Sequence, residues 1–61
     1  MPVVHIHMLE GRSVEQKKAL AEAITTAFVN IANAKPEGVT VVIDDYPRTN
    51  WARGGKLLSE Q

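Results

Sequence analysis

The sequence predicts an α/β (α+β) chain built as a β-α-β unit with parallel strands, one long amphipathic helix and a short C-terminal hairpin or arm. Three observations predict it. Residues 3–8 alternate with period two, residues 13–33 carry apolar groups at three- and four-residue steps behind a helix-start signal, and residues 39–44 are a β-branched run.

In the first strand, Val4, Ile6 and Met8 make one apolar face, while Val3, His5 and His7 make a mixed one. Leu9-Glu10-Gly11-Arg12 breaks the alternation and reads as an exit turn. Ser13-Val14-Glu15-Gln16 is a capping box: the Ser13 hydroxyl accepts from the third helical amide, and Gln16 reaches back to the Ser13 amide. Leu20, Ala23, Ile24, Ala27, Phe28 and Ile31 then form an apolar stripe opposite Lys17, Lys18, Glu22 and Thr25, for a helix of about 18 to 20 residues. Pro36 biases Lys35 away from helical geometry, so Asn33 and Ala34 unwind the helix. Gly38 opens the second strand over residues 39–44. A crossover this long implies parallel strands with right-handed connection. The polar turn at residues 45–50 leads to Trp51-Ala52-Arg53 and Gly54-Gly55, the terminal hairpin or arm.

A chain of 61 residues is read as a single domain, residues 1–61, and a chain this short buries only about 60% of its unfolded surface. It has no cysteine, so disulfides and thiolate metal sites cannot staple it, and oligomerisation is the remaining remedy. One helix covers one face of a two-stranded sheet, whereas parallel strands are normally buried on both faces. Other copies of the chain are therefore expected on the open face and edges. Seven basic residues balance seven acidic ones, which argues against nucleic acid or an anionic membrane as partner. No apolar run is long enough to span a bilayer and no signal-peptide pattern opens the chain, so the expected location is the cytoplasm.

The most unusual chemical group lies at Pro2. By position alone it is an ordinary proline at the start of an edge strand. If Met1 is removed, its ring nitrogen becomes a free secondary amine that can accept a proton, return it, or attack a carbonyl, none of which an internal proline can do. To act as a base near neutral pH that amine would need a lowered pKa, of the kind that apolar burial or a guanidinium group close by produces.

With the elements placed, the chain resembles a short member of the tautomerase superfamily, of the 4-oxalocrotonate tautomerase type. The resemblance rests on Pro2 directly after Met1, on Ile6-His7-Met8-Leu9-Glu10-Gly11-Arg12-Ser13, on Glu15-Gln16-Lys17 and on Gly54-Gly55-Lys56-Leu57. It implies a tautomerase-like oligomeric fold, a homohexamer arranged as a trimer of dimers or, in some members, a dimer-based variant, with sites at subunit interfaces. It also implies no metal and no organic cofactor, a small unsaturated oxo or hydroxy acid as substrate, and a place in aromatic degradation. Carried over by residue, Pro2 is the general base and acid, Arg12 binds the substrate carboxylate, Trp51 is the aromatic wall, and Leu9 adds to the apolar lining. Thr40 stands where relatives carry a second arginine that polarises the substrate, so Arg53, or failing that Arg48, is the candidate replacement charge. Two alternatives stay open: another reaction of the Pro2 amine within the superfamily, such as hydration, dehalogenation or Schiff-base chemistry, and, motivated by Thr40, a weakly active assembly module.

Other residues are read more plainly. His5 and His7 share a strand face but make only two metal ligands where zinc sites use three or four, so no metal site is expected. Lys17-Lys18 is read as a solvated helix face. Asp44 and Asp45 are consecutive on a strand, point to opposite sides, and are not expected to share a proton.

Overall fold

The structure, a computed structural model, describes residues 1–61. Strand β1 (Val3–Leu9) pairs in parallel with β2 (Thr40–Tyr46), in a register that sets Val3 opposite Thr40 and Leu9 opposite Tyr46. Helix α1 (Val14–Ala32) makes the crossover between them. The chain ends in an antiparallel hairpin of β3 (Ala52–Arg53) and β4 (Lys56–Leu57). The β-α-β reading holds. The second strand runs two residues beyond the expected end, to Tyr46, and residues 36–38 form a 3-10 turn led by Pro36, so Gly38 closes that turn instead of opening the strand.

The helix starts as its sequence dictates. Ser13 is the cap, Gln16 N–H donates to its hydroxyl at 3.1 Å, and Ser13 N–H donates to Gln16 Oε1 at 2.9 Å. At the other end Asn33 takes the left-handed conformation, φ 58°, that ends many helices. Losing the cap hydroxyl removes one satisfied amide. Ser13→Ala is therefore expected to lower the unfolding free energy by about 1 kcal/mol, read by urea titration at fixed protein concentration.

Which helix face meets the sheet is a correction to the sequence reading. Half-buried positions are Lys17, Ala21, Ile24, Thr25, Phe28 and Val29, whereas Leu20, Ala23, Ala27 and Ile31 are exposed, Ile31 at 86%. Ile24 and Phe28 pack inward as expected. The rest of the apolar stripe faces outward, because a two-stranded sheet is too narrow to cover a stripe this wide. Lys17 is not a solvated residue either: its ammonium donates to Asp45 Oδ2 and ties the first helical turn to the end of β2.

Val4, Ile6 and Met8 of β1, with Val41 and Ile43 of β2, form the half-buried sheet face. The opposite face carries Val3, His5 and His7, with Thr40, Val42, Asp44 and Tyr46 beside them, and no element of the chain covers it. Only Leu58 is fully buried. The accessible surface is 4638 Å², against about 3,900 Å² for a compact monomer of this mass. The radius of gyration, 14.6 Å, likewise exceeds the roughly 10.5 Å of a compact chain of this length.

The hairpin is turned by Gly54 and Gly55, both with positive φ (61° and 81°), the pattern of a type I′ turn that side-chain-bearing residues resist. It is anchored by Leu58 N–H donating to the Trp51 carbonyl at 2.8 Å and by Arg48 donating to the Leu58 carbonyl at 3.3 Å.

Candidate active site

The residues singled out by sequence fall into two groups at opposite ends of the sheet. Pro2 and Thr40 share one end. The Thr40 N–H donates to the Pro2 carbonyl at 2.9 Å, which fixes the backbone of Pro2 against the start of β2. Met1 lies outside this clasp, 88% exposed, its nitrogen near Gly38, where a Cβ would sit 3.4 Å from it. Thr40 is exposed on the uncovered sheet face and carries no charge.

Leu9, Arg12, Trp51 and Arg53 belong to the other end. Leu9 is half-buried and paired with Tyr46; the Glu10 N–H continues the ladder by donating to the Tyr46 carbonyl at 2.9 Å. Gly11, at φ 128°, then turns the chain so that Arg12 stands exposed ahead of the helix cap. Trp51 is half-buried and meets Tyr46 edge-on, with ring centroids 5.9 Å apart. Arg53 is exposed on the hairpin. Arg48 instead holds the Leu58 carbonyl.

A seven-residue strand at about 3.3 Å per residue spans about 20 Å, so Pro2 and Arg12 of one chain stand too far apart to grip one small acid. The two ends can complement each other only between chains. The surfaces available for such a meeting are the uncovered sheet face, the strand edges and the exposed helix stripe.

Between the two ends, the uncovered face carries a polar row that sequence reasoning did not assemble. His5 Nε2 faces Asp44 Oδ2 in direct contact. His5 and His7 stack at 4.4 Å with an interplanar angle of 18°, and His7 Nδ1 and the Tyr46 hydroxyl share a hydrogen bond of 2.8 Å. Asp44 and Asp45 do point to opposite faces, one to His5 and the other to Lys17. The count of two metal ligands, however, needs correcting: Asp44 joins both histidines, with one candidate donor atom on each of the three residues and all within 4.8 Å of one another. The missing signal was strand register. Parallel pairing that sets Val3 against Thr40 necessarily sets His7 against Asp44.

Comparison with known proteins agrees with this architecture. The family described as tautomerase enzyme matches residues 2–61. A 2-hydroxymuconate tautomerase of Comamonas testosteroni is 49% identical over 60 residues, covering 98% of this chain and 95% of its own. A probable tautomerase of Bacillus cereus is 46% identical over the full length of both chains. Among solved structures, a heterohexameric 4-oxalocrotonate tautomerase from Chloroflexus aurantiacus superposes with a TM-score of 0.90 at 38% identity, covering 98% of this chain and 97% of that one. A β-α-β chain of this form, with Pro2 directly ahead of β1 and the Arg12 turn directly after it, has a tautomerase fold. The chain belongs to the tautomerase family, among its short members of the 4-oxalocrotonate tautomerase type, and is an isomerase of that type. No helix is long and apolar enough to cross a membrane.

Proposed function

We propose that the protein is a cofactor-independent tautomerase that shifts a proton within a small unsaturated 2-hydroxy or 2-oxo acid. Pro2, freed of Met1, is the general base that removes the proton and the acid that returns it to another carbon. Arg12 binds the carboxylate, its planar fork matching the two oxygens. Leu9 and Trp51 line the apolar wall of the site. Thr40, beside Pro2, brings no charge to the substrate oxygen, and Arg53 supplies it from a neighbouring chain.

The observation that carries this reading is the placement of Pro2 and Arg12 at opposite ends of one strand. It supports a working site shared between two chains. The unit that fits the uncovered faces is a homohexamer of three dimers, each dimer setting the Pro2 end of one copy against the Arg12 end of the other. Assembly is then a condition of folding as well as of catalysis. Sedimentation across a dilution series is expected to show an oligomer that loses helical circular dichroism as it dissociates, and a folded monomer at micromolar concentration would refute it.

The chemistry is tested by following the ultraviolet absorbance of 2-hydroxymuconate and of phenylenolpyruvate as they ketonise. Acceleration over buffer by metal-free protein is the expected result. Turnover at the buffer rate with an intact oligomer would favour an assembly module instead. Thr40 favours one second reading, another reaction of the same amine. Borohydride trapping of an imine on Pro2 with an aldehyde would support its covalent form.

A further inference from the structure

We propose that His5, His7 and Asp44 form a binding site for a divalent transition-metal ion of the Zn²⁺ class, on the sheet face opposite the helix. His5 and His7 are two apart on β1 and so project from the same face, and the register brings Asp44 of β2 alongside them. One donor from each residue already lies within 4.8 Å of the other two. Donors around a tetrahedral zinc at 2.0–2.2 Å lie roughly 3.4 Å apart, so side-chain rotations of about an ångström, which part the His5–Asp44 contact to admit the ion, form the set.

Two imidazoles and one carboxylate suit zinc, cobalt, nickel or copper, and not calcium or magnesium, which take oxygen donors. The environment is prepared in the manner of a metal site. The Tyr46 hydroxyl holds His7 Nδ1 at 2.8 Å, which orients the ring and leaves Nε2 for the ion, the outer-shell partnership that ligating histidines usually have. Stacking on His5 fixes the same ring from its flat side. The side chains of His5 and Asp44 are 48% and 46% exposed in the single chain. Three protein ligands leave a position for water or for a group from an adjoining copy. Bridging β1 to β2, the ion would brace a sheet that has no disulfide and almost no buried core. The site lies along the strands between the two ends that carry the tautomerase residues, and the proposal does not depend on that chemistry.

The test is titration of the chelator-treated protein with Co²⁺, followed by visible absorption. The expected result is one Co²⁺ per chain with the intensified bands of a low-coordinate ion, displaced by Zn²⁺. His7→Gln and Asp44→Asn are each expected to weaken binding at least about tenfold, and Tyr46→Phe, which keeps all three ligands, about tenfold. Far-ultraviolet circular dichroism identifies any variant that fails to fold, and the wild-type spectrum is decisive by itself. A spectrum that remains that of the aqua ion overturns the proposal. So does binding that persists undiminished in the folded variants, which would place the ion elsewhere, at the terminal amine for instance.

Discussion

Replacing Pro2 with alanine is expected to lower kcat/KM for ketonisation of 2-hydroxymuconate by about 10²-fold or more, the usual scale of a positioned general base. The variant keeps an amine, so the loss comes from orientation. The pyrrolidine ring fixes rotation about the N–Cα bond and the Pro2 carbonyl is held by the Thr40 amide, so the direction of the nitrogen lone pair is set by the sheet. Alanine keeps the carbonyl contact but frees rotation about the bond that aims the nitrogen. Retaining Met1 is a harsher change, since it converts the nitrogen to an amide with no basicity. Intact mass should therefore accompany each assay, and activity should track the fraction of chains that begin at Pro2. Equal rates for wild type and Pro2→Ala, with Met1 absent from both, would remove Pro2 from the mechanism.

Arg12→Ala is expected to cost a further effect of similar size, about 10²-fold in kcat/KM, because in the proposed site the substrate carboxylate loses its bidentate partner. Arg12→Lys should recover only part of it, a point charge replacing a fork. The sharper result comes from mixing. Pro2→Ala and Arg12→Ala homomers are each crippled, but co-refolding them places an intact Pro2 end against an intact Arg12 end in mixed pairs. With random pairing in two-fold dimers, half the pairs are mixed and each has one complete site, so about a quarter of wild-type activity should return. No recovery in verified mixed oligomers would mean that base and clamp come from the same chain, which the length of β1 argues against.

Much of this architecture can be read from the residues alone, and the exceptions have physical causes. Ser13 and Gln16 announce the helix start through local hydrogen bonds, and Pro36 bounds its end through local sterics, so both are legible without tertiary information. The orientation of α1 is not, because its apolar stripe is wider than the sheet beneath it; Leu20 and Ile31 look like core residues and are exposed. Lys17 looks like a solvated charge until Asp45 is placed under it. The family resemblance rests on the Leu9–Ser13 turn and Pro2, and the comparisons bear it out. What residue order could not reveal is distance: Pro2 and Arg12 are separated by a strand, and His7 and Asp44 are joined by a register.

The exposed stripe of Leu20, Ala23, Ala27 and Ile31, together with the bare sheet face and open strand edges, has a consequence for the life of a newly made chain. A lone copy leaving the ribosome presents apolar surface and unpaired strand edges that invite proteases and wrong partners. In the proposed assembly its escape is a bimolecular encounter, whose rate rises with the square of the number of copies present, while degradation rises only with the first power. Sparse synthesis thus yields mostly debris and abundant synthesis mostly enzyme. A threshold in expression is written into the outward face of a single helix.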